Sequence, residues 1–403
     1  MTELVHREKA HVLPLDSVRG IAAISVVIHH LLLMPTFLAI FPHNAWINCS
    51  FFRSAWLLVD LFFVLSGMVM SLSYVESEFG RFSLREFMVR RLARVYPLHI
   101  VMLIANLLFR FLRIGLVTAG VVVAAPMAFE VNNAYSFLLN VLLLHSMGFI
   151  DYLSWNAPSW SISVEFYTYL VFGLVVLIAQ RLRSLLWLYV LAGFLVVGSL
   201  FVIVFVLDKT SLGLQTDFGI LRCFVSFFIG VLTVRIVRGL PGRPSPVVQG
   251  ALQLIAMIAS IVLVSLAENN PEVTFLAPLA FALFLGSLLA FPDAPLVPRM
   301  LVARPLVWLG RRSYSIYMVH ALVVLFAEYF VRALGGRRIL ALDSMAPGLP
   351  ATLNLVVSLA AVLVVSHFTY RYVEIAGGKW LRNVLGSRSG FSAAPAPSAQ
   401  LTN

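Results

Sequence analysis

Apolar runs recur along almost the whole chain, separated by short polar stretches rich in arginine. They fall near residues 14–35, 55–75, 97–118, 134–149, 160–180, 184–207, 219–237, 247–267, 275–291, 308–333 and 351–373. A helix needs about 20 predominantly apolar residues to cross a hydrocarbon core. The run at 134–149 is the short one, and it carries Asn140 and His145. Loop charge tests whether it spans, because Lys and Arg collect in cytoplasmic loops.

With a cytoplasmic N-terminus, the loop 76–96 with Arg81, Arg85, Arg90, Arg91 and Arg94 falls inside. If 134–149 does not span, Arg181 and Arg183, then Arg235, Arg238 and Arg243, then Arg299, Arg304, Arg311 and Arg312 all fall inside too. If it does span, the first two of these groups are forced outside. The rule therefore predicts ten spanning helices, both termini cytoplasmic, with 134–149 a re-entrant or interfacial element. Arg337 and Arg338 are the exceptions, since the loop 335–350 then faces out with 208–218 and 268–274. The expected fold class is all-α, a polytopic membrane helical bundle. Residues 1–380 form one membrane domain, and 381–403, rich in Ser, Ala, Pro and Gly, form a disordered cytoplasmic tail.

Composition agrees with this pattern. The chain of 403 residues is 61% hydrophobic and 12% charged, with a mean hydropathy of +0.94. Soluble domains carry roughly twice that charged fraction. The net charge of +11 belongs to cytoplasmic loops facing membrane lipids, and no soluble basic domain exists to bind nucleic acid. Two cysteines, Cys49 and Cys223, make neither a disulfide framework nor a metal site. The first apolar run lacks a small-residue cleavage site and reads as a retained helix, not a signal peptide.

Polar groups inside the apolar runs are the candidates for chemistry, because they are costly there. Arg19 and His30 are eleven residues apart in the first helix. At about 100° per residue they share a face to within roughly 20°, about 16 Å apart along the axis. Asp16 is i,i+3 to Arg19. His29 points about 100° away from His30 and is the weaker candidate. Histidine suits general-base work near neutral pH. Glu165, one turn inside the boundary marked by Trp160, needs a partner, and His30 at similar depth is the expected one. A carboxylate on one imidazole nitrogen would fix the tautomer of the other. Ser66-Gly67 in the second helix reads as a small-residue packing site more than as a nucleophile. Arg91 and Arg94 share a helical face at the cytoplasmic mouth of the third helix. They fit either lipid head groups or a clamp on phosphate oxygens. Tyr317 and His320 are i,i+3 neighbours, and the charges of Tyr370-Arg371-Tyr372-Val373-Glu374 read as structural.

Five motifs stand in order: Asp16-x-x-Arg19-Gly20-x-Ala22-Ala23 with His30 after it, Phe62-Phe63-Val64-Leu65-Ser66-Gly67, Arg91-x-x-Arg94-x-x-Pro97, Trp160-Ser161-x-Ser163-x-Glu165-Phe166-Tyr167, and Ser313-Tyr314-Ser315-x-Tyr317-x-x-His320. Together they resemble the acyltransferase-3 family of integral-membrane enzymes. Met68 stands where the family usually has phenylalanine, and Ala376 where a proline usually follows the C-terminal glutamate. The chain resembles the stand-alone branches without a fused extracytoplasmic hydrolase-like domain. The resemblance implies transfer of an acyl group, most often acetyl, from cytoplasmic acyl-CoA to a hydroxyl of a glycan or lipid-linked glycan in a bacterial inner membrane, without a metal. It marks Arg19, His30, Arg91 and Arg94 as functional. The expected roles are Arg91 and Arg94 on the CoA phosphates, His30 as base or acyl relay, Glu165 orienting it, and Arg19 on the thioester or pantetheine arm. Asp16, Ser66, Trp160, Tyr317 and His320 support the site or bind substrate. A proton-coupled secondary transporter with a His30–Glu165 relay is the alternative reading of the same residues.

Overall fold

The computed structural model describes residues 2–34, 47–76, 79–119, 129–333, 345–346 and 348–386. Arg337, Arg338 and residues 387–403 lie outside them. Among the described residues nine helices are long and apolar enough to cross a membrane. A further apolar helix covers Ser313–Ala333. The principal helices are α1 (Thr2–Leu32), α2 (Leu58–Met70), α3 (Leu84–Thr118), α4 (Ala134–Val141), α5 (Trp160–Arg181), α6 (Leu185–Phe201), α7 (Gly219–Arg238), α8 (Pro246–Leu266), α9 (Ala277–Ala290), α10 (Arg304–Arg311), α11 (Ser313–Ala333) and α12 (Leu349–Thr369). No strand occurs among the described residues. The chain is a polytopic helical membrane protein.

Several helices outrun their apolar patterns. The third starts at Leu84, where the Ser83 side chain accepts from the Glu86 amide. Its polar first turns therefore carry Arg91 and Arg94 on continuous helix. The last helix passes through a π-helical stretch, Tyr370–Ile375, into Ala376–Gly386. With alanine at 376, no missing amide interrupts that continuation. The helix runs six residues past the expected end of the domain at 380.

The short run at 134–149 does not span. Its helix α4 has eight residues, or about 12 Å of rise, and starts on a capping box between Asn133 and Ser136. The chain then turns back through Leu143, whose φ is 57°. Neighbouring helices satisfy the freed backbone. Tyr96 and Tyr167 donate to the carbonyls of Val141 and Leu142, Ser163 donates to that of Leu143, and His99 pairs with that of Asn140. This is how non-helical backbone is tolerated at membrane depth.

Helices α2 and α7 touch backbone to backbone. A Cβ on Gly67 would overlap the carbonyl of Phe227, and one on Gly230 would overlap that of Val64. The packing reading of Ser66-Gly67 thus holds for the glycine. Beside this contact lies a fully buried ion pair. Arg222 Nη2 is 2.7 Å from Asp60 Oδ2, with no accessible side-chain surface on either. Ser226 donates to Asp60 Oδ1 at 2.7 Å. The guanidinium sits between Trp56 and Trp160, 5.0 and 5.1 Å from the ring centroids.

Two outcomes follow from this packing. Reporter fusions after residues near 183, 243 and 305 should lie on one side of the membrane and those near 155 and 212 on the other; a shared location for 155 and 183 would contradict it. Gly67→Val should abolish the close approach of α2 and α7, and yield of monodisperse detergent-extracted protein should fall severely while Gly115→Val, facing open space, is tolerated.

Candidate active site

The site residues occupy two levels of the bundle, linked through its interior. At one level, in the middle of α1, Arg19 lies 4.0 Å from Asp16. Arg94 forms an ion pair with Glu374, and the second oxygen of Glu374 accepts from Ser315 at 2.7 Å. The π-helical stretch carries Glu374 into this buried position. Tyr314 covers Arg94 with its ring, 5.7 Å away, and donates to the Val95 carbonyl. Even so, 37% of the Arg94 side chain is accessible. Arg91 lies within 5.8–5.9 Å of the ring centroids of Tyr74, Phe87 and Tyr169. It donates to Tyr74 Oη at 3.4 Å, and its buried Nε has no hydrogen-bond partner among the described residues.

The two arginines therefore differ. Arg94 is committed to a carboxylate that sequence reasoning set aside as structural, while Arg91 keeps a donor free. The local signal for Glu374 was weak, because a helix-end Tyr-Arg-Tyr-Val-Glu resembles a surface segment, and the π-helical stretch that turns it inward leaves no mark in hydrophobic periodicity.

At the other level, His30 and His320 face each other with ring centroids 4.8 Å apart. His30 Nδ1 lies 2.9 Å from the Val26 carbonyl, and His320 Nδ1 contacts the Tyr317 carbonyl. A carbonyl only accepts, so both imidazoles carry a proton on Nδ1, and in the neutral form they present a bare lone pair at Nε2. The Nε2 of His320 is buried without a partner, and His30 has no further hydrogen bond among the described residues. His29 is instead tied to the Phe52 carbonyl at 3.2 Å. The rings of Tyr317 and His320 lie 5.7 Å apart. Tyr317 donates to the Pro158 carbonyl at 3.0 Å and accepts from Ser161 at 2.9 Å.

Glu165 does not pair with His30. It accepts from Tyr169 at 2.7 Å, and the same hydroxyl is 2.7 Å from Ser66 Oγ. The i,i+4 spacing on α5 places Tyr169 directly below the carboxylate, and that local partner takes the place of the distant histidine. The imidazole tautomer is set by the Val26 carbonyl, one helical turn earlier. Ser66, Glu165, Tyr169 and Arg91 thus form a chain between the two levels. Trp160, expected at the interface, is 5% exposed and stacks on Arg222 inside the bundle. No cluster of three or more metal-ligating side chains occurs among the described residues.

The family model described as the acyltransferase domain matches residues 13–371. The chain belongs to this membrane acyltransferase family. The match runs from α1 to the first two residues of the π-helical stretch, so every candidate residue except Glu374 falls within it. Acyltransferase MdmB of Streptomyces mycarofaciens is 27% identical over 297 residues, covering 69% of this chain and 70% of that protein. O-acetyltransferase OatA of Staphylococcus aureus is 25% identical over 339 residues, covering 79% of this chain and 51% of that protein. The chain spans about half the length of the Staphylococcus aureus relatives it matches. No solved structure matches it significantly. Membership in an acyltransferase family leaves the transporter reading without support.

Glu374 joins α3, α11 and the last helix, so its loss should be felt as stability. Glu374→Ala leaves Arg94 without its counter-charge, and breaking such a pair costs about 3–5 kcal/mol when fully buried, less here because the arginine is partly accessible. Thermal unfolding in detergent should show a clear drop for Glu374→Ala and a smaller one for Glu374→Gln; equal melting of both variants with wild type would contradict the assigned role.

Proposed function

We propose that this acyltransferase moves an acyl group, acetyl in the simplest case, from acyl-CoA to a hydroxyl of a glycan or glycosylated lipid, with the two levels of the bundle serving donor and acceptor. The observation that carries this reading is the facing pair of imidazoles, each with its Nε2 lone pair unengaged, at the opposite level from three arginines.

The donor's phosphates fit the arginine level. Guanidinium groups hold phosphate oxygens through charge-assisted hydrogen bonds. Arg91 has an unused donor, Arg94 is partly accessible, and Arg19 lies at the same level on the face of α1 that also carries His30. An extended pantetheine arm is long enough to bring a thioester from one level toward the other. The chain from Arg91 through Tyr169 and Ser66 to Glu165 supplies polar groups along the way.

At the histidine level, the acceptor hydroxyl loses its proton to His30 Nε2 as its oxygen attacks the thioester carbonyl. His320 is placed to share that proton. The tetrahedral intermediate collapses with cleavage of the C–S bond, and the departing CoA thiolate takes the proton back from the imidazolium. The products are one ester and one free thiol. The Val26 carbonyl holds the Nδ1 proton in place and so keeps the lone pair on the nitrogen that works. In this reading both termini lie in the cytoplasm of a bacterial cell, with the enzyme in the inner membrane and the arginine level facing in.

His30→Ala should lower turnover by about 10²–10⁴, the contribution of a positioned general base, while His29→Ala has a much smaller effect. His320→Ala should fall between them. A neutral imidazole is required, so activity should decline on the acidic side of the profile, and that limb should vanish with His30. Thiol release from acetyl-CoA by purified protein with a hydroxyl acceptor reads all three. Near-normal turnover in His30→Ala would overturn the mechanism.

A further inference from the structure

At the end of the bundle where the histidines lie, an open cavity of about 370 Å³ is lined by Asp151, Lys209, Ser211, Gln215, Thr216 and Asp217 among others. Its volume is in the range of small-molecule sites, roughly 300–1,000 Å³. Its lining is mostly polar.

Two segments build it: the turn that follows the re-entrant element and the loop before α7. They are joined where the Gly148 amide donates to the Thr216 carbonyl at 3.4 Å. Gly148 has φ +86°, and a Cβ there would come within 3.3 Å of the Asp217 carbonyl oxygen. Only glycine lets the two segments approach this closely without strain. The loop is braced from below. Leu212 N–H donates to Thr274 Oγ1 at 2.9 Å, Ser211 Oγ accepts from Gly213 N–H at 3.3 Å, and Arg222 Nη1 donates to the Leu214 carbonyl at 3.3 Å.

The side chains of Asp151, Lys209, Gln215 and Thr216 make no hydrogen bond among the described residues. They offer carboxylate and amide acceptors alternating with ammonium, amide and hydroxyl donors. That mixture suits a ligand whose groups both donate and accept, as sugar hydroxyls do. Two carboxylates against one ammonium disfavour an anionic sugar and favour a neutral or amino sugar.

The cavity floor is also connected to the histidines. Arg222, which holds Leu214, is stacked on Trp160; its neighbour Ser161 donates to Tyr317 at 2.9 Å; Tyr317 lies against His320, and His320 against His30. We infer that this cavity binds a neutral or amino sugar unit of the hydroxyl acceptor. The assignment of the ligand as the acceptor rests on the acyl-transfer reading above.

Saturation-transfer NMR on the full chain in detergent tests it, with methyl glucoside, glucosamine and glucuronate as probes. The first two should receive saturation and glucuronate should receive little. Gln215→Ala and Asp151→Asn, each checked for monodisperse elution, should weaken the signal about fivefold for one lost hydrogen bond. Equal saturation of all three probes, saturation of none, or signals unchanged in both variants would overturn the assignment. Sugar binding that depends on Gln215 and Asp151, in protein that releases no thiol from acetyl-CoA, would uphold the cavity and overturn the transfer reading. Acetylation of methyl glucoside with unchanged kinetics in both variants would do the reverse.

Discussion

The fully buried pair of Arg222 and Asp60 is the contact on which the arrangement turns. Two unit charges without accessible surface are tolerable only when every hydrogen-bonding position is met. Here Asp60 receives Arg222 and Ser226, and the remaining guanidinium donors reach the carbonyls of Leu214 and Trp56. Two tryptophans close the faces. The pair thereby fixes α2 against α7, pins the loop that leads into α7, and sets the position of Trp160 at the head of α5. From Trp160 contacts lead toward the histidines: Phe63 packs on Trp160, the adjacent Ser161 donates to Tyr317, and Tyr317 lies against His320.

Buried polar groups elsewhere follow the same constraint, and the exceptions are informative. Most intramembrane hydroxyls donate to a carbonyl one turn away or to a neighbouring side chain, as Thr168 and Thr233 do. The buried atoms without a partner among the described residues include Ser17 Oγ, Ser71 Oγ, His99 Nδ1, His145 Nδ1 and Ser146 Oγ as well as His320 Nε2 and Arg91 Nε. Unpaired groups at this depth are expensive, and the last two sit at opposite levels of the bundle.

Much of this was legible in the chain itself. Hydrophobic runs and arginine-rich loops outlined the bundle and singled out 134–149 as non-spanning, because both signals act directly on insertion. The shared face of Arg19 and His30 follows from helical periodicity alone. What periodicity cannot carry is which residue of another helix arrives opposite. Glu165 found Tyr169 on its own helix, Arg94 found Glu374 across 280 residues, and Arg222 found Asp60 across 162. Arg222 itself stands in an unremarkable apolar helix, and only the coincidence of one cation and one carboxylate near the same end of two spans hinted at the pair. The start of α3 at Leu84 was obscured because its first turns are polar and lie beyond the apolar run.

In the proposed reading, with the arginine level serving the donor and the histidine level the acceptor, the two substrates meet from opposite sides. Sealed vesicles holding the protein in one orientation, with labelled acetyl-CoA supplied only on the side of the α1 N-terminal end and methyl glucoside trapped inside, measure this directly. The account predicts acetylated sugar accumulating in the lumen, with equimolar free CoA thiol on the donor side. Acetylated product formed only when donor and sugar share a compartment would contradict it.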